Sequence, residues 1–125
     1  MAHLQNEDYA DDVPPGWRPL LAALVIELER VQPGFSITQV KQKFGELRVY
    51  LEAGTVEAFH LIDDATRQSR VTCEECGKKG SLRTSSGWVQ TLCDEHSQPG
   101  TRKLAESLIV AAYRFVDGRF VPVER

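Results

Sequence analysis

No apolar run in this chain approaches the roughly 18 residues that cross a bilayer. Its opening, MAHLQNEDYADDVPPG, has none of the basic-then-apolar character of an export signal. The expectation is a cytoplasmic protein. Also missing are G-x-S-x-G, the Walker phosphate loop and G-x-G-x-x-G, so the common nucleophile and nucleotide sites have no sequence footing. A basic excess is absent too, since the net charge is −3. Glu7, Asp8, Asp11 and Asp12 fall in the first fifteen residues without a Lys or Arg, and removing them leaves 15 basic and 14 acidic residues. A body at +1 has no strong bias towards polyanions. Cysteine is scarce, and three thiols cannot all pair within one monomer, which makes a disulfide framework a poor explanation.

Those three cysteines sit close together in VTCEECGKKGSLRTSSGWVQTLCDEH, residues 71–96. Cys73 and Cys76 form C-x2-C, Cys93 and His96 form C-x2-H, and sixteen residues separate the pairs. Each pair can clasp a metal from one tight turn. A borderline-soft ion such as Zn²⁺ takes thiolate and imidazole ligands tetrahedrally, and a Cys₃His set fills all four positions. The expectation is one structural zinc per chain. A redox C-x2-C is the competing reading, but such motifs sit on a strand-to-helix turn, and the run after Cys76 reads as a hairpin.

Gly77 falls where a knuckle turn needs positive φ. SLRT and WVQTL around SSG then predict two strands, with Leu82 facing in on the first and Trp88 and Leu92 on the second. CDEHSQ reads as the first turn of a short helix, with Asp94 and Glu95 at its positive end. Knuckle, hairpin and helix in that order resemble a treble-clef zinc finger over about 26 residues, 71–96.

Upstream, Trp17, Leu20, Leu21, Leu24, Leu28 and Val31 follow a helical period, with Pro19 in the first turn and Pro33-Gly34 as a stop. The next run alternates through Phe35 and Ile37, then Leu47, Val49 and Leu51, about a turn at Phe44-Gly45. Val40 is out of phase, which predicts a bulge or an early strand end. Lys41, Lys43, Arg48 and Tyr50 fall on the outward face of this hairpin, as a docking patch or as a solubilising face. Val56, Phe59, Ile62 and Ala65 predict the inner stripe of a second helix capped by Thr55. His60 stands four residues before Asp64 on that helix, a spacing that allows a shared metal or proton and also suits an isolated surface histidine. After the finger, Leu104, Leu108, Ile109 and Ala112 suggest a third helix capped by Thr101. Asp117-Gly118 between alternating runs predicts a terminal hairpin, with Pro122 on an edge strand.

GWRPLLAAL, QVKQKFGELRVYL and the cysteine window together resemble a group of small bacterial and phage proteins that pair a V-K-x-K-F-G-x-L-R-x-Y hairpin with a C-x2-C-G and G-W-x-x-T-L-C-x-x-H finger. The likeness covers residues 16–96. It implies a zinc-stabilised α+β body and supplies no activity.

The expected architecture is a single α+β domain over 16–125, with a zinc finger at 71–98 and a C-terminal helix and hairpin at 101–125, preceded by a mobile acidic tail over 1–15. With four side chains committed to metal, only His3 and His60 remain as imidazoles, and the expectation is a protein that is not an enzyme. Two functions stay open. One is a protein-interaction module of the inhibitor, immunity or regulatory-adaptor kind. The other is a nucleic-acid binder using Lys78, Lys79, Arg83, Arg102 and Lys103 around the metal, with Trp88 free to stack on a base unless the finger's core claims it.

Overall fold

The computed structural model describes residues 8–85, 87–97, 100–104, 113–116 and 119–122. Among these residues two helices and small antiparallel sheets form one α+β body. A 3₁₀ turn over Pro15–Trp17 leads into α1, Arg18–Val31, and α2 spans Val56–Ser69. Between them lie β1, Ile37–Lys43, and β2, Glu46–Leu51.

The apolar period of α1 turns Leu20, Leu21, Leu24 and Leu28 inward, and each is buried beside Trp17. Phe35, Ile37, Val40, Leu47 and Val49 from the hairpin, and Ala58, Leu61, Ile62 and Ala65 from α2, complete one core. Each large side chain fully buried there contributes about 1.5–3 kcal/mol. The Thr55 cap forms as expected, its side chain accepting the Ala58 N–H at 3.1 Å. Gln32 ties the end of α1 to the start of α2, donating to the Ala53 carbonyl and accepting the Thr55 N–H, both at 2.8 Å.

The inner stripe of α2 differs from the expected one. Ala58, Leu61, Ile62, Ala65 and Ser69 face the core, whereas Val56 and Phe59 are exposed. An apolar count cannot separate two adjacent stripes when Ala and Ser serve as contact residues between closely packed elements. The bulge expected near Val40 is present as a register shift between Ile37 and Gln39, and it lets Ile37 and Val40 both point inward. The hairpin closes through Phe44 and Gly45, both at positive φ (53° and 77°), the two-residue geometry that matches strand twist.

Beyond α2, β3 (Ser81–Ser85), β4 (Trp88–Leu92) and β5 (Arg102–Lys103) form a sheet ordered β4-β3-β5. β6 (Tyr113–Val116) and β7 (Arg119–Pro122) pair in the hairpin expected around Asp117-Gly118, with β6 beside α2 and β7 beside α1.

Three further expectations are corrected. Thr101 caps no helix, because Arg102 and Lys103 extend the finger's sheet and Leu104 donates to the Leu82 carbonyl at 2.8 Å. The expected helix also cannot reach Tyr113–Val116, which are strand, and its centre, 105–112, lies outside the described residues. The acidic segment is not a loose tail from residue 8 onward. Asp8–Asp12 form a 3₁₀ turn, Tyr9 donates to the Ile37 carbonyl at 3.1 Å, and Val13 is buried. Residues 1–7 of that expected tail lie outside the described residues. Finally, Asp94, Glu95 and His96 form a single turn without helical continuation over the described residues.

Candidate metal centre

The knuckle is built by backbone bonds. Cys73 N–H reaches the Lys78 carbonyl at 2.7 Å, and Gly77 N–H returns to the Cys73 carbonyl at 2.9 Å. Gly77 takes the expected positive φ, 81°. β4 delivers Cys93 directly after its last residue, and His96 N–H closes the following turn on the Cys93 carbonyl at 3.2 Å.

These two turns bring Cys73, Cys76, Cys93 and His96 together, with all four donor atoms within 4.8 Å of one another. Cys76 Sγ is 3.7 Å from Cys93 Sγ, and His96 Nδ1 is 3.2 Å from Cys93 Sγ and 3.8 Å from Cys73 Sγ. The sequence-predicted ligands thus converge and can hold a metal ion. Burial raises the Cys93 thiol, but hydrogen bonds from the His96 side chain and backbone, then from Cys73 and Cys76, outweigh it and bring it to about 7. The same contacts, Cys93 first and Cys73 second, raise the His96 imidazolium above its ordinary value. A thiol that ionises near neutrality is a ready metal ligand.

Around the ligands, the register puts Leu82, Val89 and Thr91 on one face of the finger sheet and Trp88, Gln90 and Leu92 on the other. Leu92 is buried with Cys73 and Cys93. Trp88 shares that face but is 76% exposed, so it is not the finger's core residue. Arg83, expected as a nucleic-acid contact, is buried instead. It donates to the Leu92 carbonyl at 3.0 Å and to Asp94 at 2.6 Å. Arg83 foremost, and then Lys103, hold the Asp94 carboxyl below its usual range. Lys78, Lys79, Arg102 and Lys103 remain exposed.

Two structural determinants had no sequence signal strong enough to find them. Glu74, within an apparently polar CEEC, is only 3% exposed. Its carboxylate accepts the Thr91 N–H at 2.6 Å and the Gln42 amide at 3.2 Å, joining knuckle, β4 and β1. Burial raises its carboxyl more than those bonds lower it. The second is Gly16, whose N–H donates to the Glu74 carbonyl at 2.7 Å. A Cβ there would lie 2.0 Å from the Cys73 carbonyl oxygen, so only glycine admits this approach. Next to it, Trp17 Nε1 donates to the Thr72 carbonyl at 2.8 Å. Trp17 was legible as core, but its bond to the knuckle was not.

The other candidates separate. His60 is exposed and Asp64 is buried with Arg67 at 3.6 Å, and they form no joint site. Lys41, Lys43, Arg48 and Tyr50 share the outer face of the β1–β2 hairpin, as the pairing of Lys41 with Arg48 requires. Lys41 Nζ stands 5.6 Å from the Tyr50 ring centre, Arg48 meets Glu46 at 3.4 Å, and Tyr50 is 41% exposed.

Among the described residues no helix is long and apolar enough to cross a membrane. Comparison with known proteins finds no matching family model, no matching curated protein and no matching solved structure.

Proposed function

We propose that this chain is a non-catalytic protein-interaction module whose finger is held by one structural zinc ion. Zinc suits the donors. With Zn–S near 2.3 Å and Zn–N near 2.0–2.1 Å, a tetrahedron sets S···S at about 3.8 Å and S···N at about 3.5 Å, against 3.7 Å and 3.2–3.8 Å here. Four protein ligands leave no coordination position for water or substrate, so the ion's contribution is to the fold. Reduced thiols at such a site suit the cytoplasm. An inhibitor, an immunity protein or a regulatory adaptor is the kind of module suggested by analogy with other small acidic proteins of bacteria and phages.

The observation that carries the interaction reading is Tyr50, a half-exposed aromatic framed by Lys41, Lys43 and Arg48 on a wet strand face. Aromatic and arginine side chains that cluster on a surface dominate binding energy. Affinity capture from the native cell with wild-type protein and with Arg48→Ala/Tyr50→Ala tests it. The variant is expected to lose the partner while keeping zinc content and Tm. A wild-type chain that captures nothing, or a variant that captures equally well, overturns the reading.

A second reading, nucleic-acid binding, gains from Trp88. An exposed indole on a sheet bearing Arg102 and Lys103, with Lys78 and Lys79 exposed at the knuckle, has the composition of a stacking platform for single strands. It predicts a probe shift that weakens steeply with salt and disappears with Trp88→Ala. No shift at low salt removes it.

A further inference from the structure

Leu47, Val49 and Leu51 alternate along β2, which among the described residues pairs only with β1, and their N–H and C=O groups point away from that neighbour. At Leu47 these groups are capped by α2. Ser69 Oγ accepts the N–H at 2.9 Å and Thr66 Oγ1 donates to the carbonyl at 2.8 Å. Among the described residues no such cap extends to Val49 or Leu51. Val49 and Leu51 line a groove of about 650 Å³ between β2 and α2, within the size range of ligand pockets.

The groove has apolar and cationic walls. Phe59, turned away from the core, is 47% exposed on the α2 side, and Tyr50 flanks the β2 side. Three arginines line it with two carboxylates, Glu46 and Asp63, and one of the three, Arg67, is already paired with the buried Asp64 at 3.6 Å. Arg48 and Arg70 share the single Glu46 carboxylate, at 3.4 and 3.0 Å. Arg48 Nε is buried with no acceptor among the described residues. Over the described residues the groove therefore offers an open strand edge, aromatic contact area and, at Arg48 and Arg70, two guanidinium groups on one carboxylate.

We propose that β2 accepts an extended acidic peptide of a partner protein as an added antiparallel or parallel strand, with main-chain bonds to Val49 and Leu51 and acidic side chains at Arg48 and Arg70. Edge addition takes affinity from the main chain and selectivity from alternate side chains. The inference rests on the interaction-module reading and names the site and chemistry of its partner.

The test uses the zinc-loaded full chain, ¹⁵N-labelled, titrated with an acetylated hexapeptide alternating glutamate and valine. Saturable shifts of the Val49 and Leu51 amides are expected. A lysine-valine hexapeptide, and a glutamate-valine peptide methylated at alternate backbone nitrogens, should each bind about tenfold more weakly or worse. Leu51→Pro removes one outward N–H at an edge that tolerates proline and should weaken binding by about tenfold. The methylated peptide is read on wild-type protein and does not depend on that variant folding. Shifts elsewhere only, equal binding of the lysine or methylated peptide, or shifts of Val49 and Leu51 that track protein concentration without peptide, each overturn the proposal. The last outcome assigns the edge to a second copy of the chain. Failed peptide binding with partner capture retained sinks strand addition alone, whereas failed capture sinks the module reading.

Discussion

Among the described residues the helical body closes over sixteen buried apolar side chains drawn mainly from α1, α2 and the first hairpin, whereas the finger's own apolar cluster is Cys73, Leu92 and Cys93, two of them candidate metal ligands. What orders the finger is polar and directional: the four-ligand centre, Arg83 buried against Asp94, and Glu74 bonded to Thr91 and Gln42. A core of that size tolerates one lost contact because dispersion and burial are spread over many atoms. A few directional bonds do not share load in this way, so each finger substitution has a local, all-or-none character. The two regions meet where Gly16 and Trp17 bond to the knuckle and where Thr91 Oγ1 donates to the Gly45 carbonyl at 2.8 Å.

The largest expected break comes from removing the metal. Chelation, or Cys93→Ser, should cost the finger several kcal/mol and abolish amide protection over 72–96, while the α-helical circular dichroism of the body survives. Helix and finger melting together at every chelator concentration would show that the contrast between the regions is false. The two tryptophans then separate the regions at the level of one side chain. Trp17→Ala should lower stability by about 3–5 kcal/mol and Trp88→Ala by less than about 0.5 kcal/mol, read by urea denaturation. Equal losses would place Trp88 in a core.

Glu74→Ala tests the polar link between the regions. It strands the buried Thr91 N–H and should cost about 1–3 kcal/mol with zinc content unchanged. A neutral result would mean that the node adds nothing to the finger's packing. The smallest effect is a gain. Phe44 is 64% exposed at positive φ, and Phe44→Asn should raise stability by about 0.5–1 kcal/mol, because asparagine tolerates that backbone better. A lower Tm would show that the ring, with Lys43 Nζ 5.8 Å from its centre, holds the turn.

The ligands were legible because cysteine and histidine at x2 spacing are rare and chemically specific, and α1 was legible because large apolar residues repeat along one face. The stripe of α2 was legible only in part: Ile62 and Ala65 face the core as read, but Ala58, Leu61 and Ser69 take the places assigned to Val56 and Phe59, and Ala and Ser carry little apolar signal. The run after Pro99 has a helical apolar period, yet Arg102 and Lys103 add to an edge of β3 that periodicity cannot see. Trp88 reads as core by hydrophobicity, but it stands at the turn end of its hairpin, and none of the described residues covers it.

By itself, then, the sequence determined the local chemistry: which four side chains can take a soft divalent ion, where the chain must turn at Gly77 and Phe44-Gly45, and which face of α1 avoids water. Those properties depend on residues close together in the chain. Tertiary structure alone decided that Gly16 presses against the knuckle, that Glu74 and Arg83 are buried, and that, among the described residues, the Thr66 and Ser69 cap on β2 ends at Leu47. Each of these needs separate segments of the chain to meet, and burial or exposure of a polar group is set by that meeting and not by the group itself.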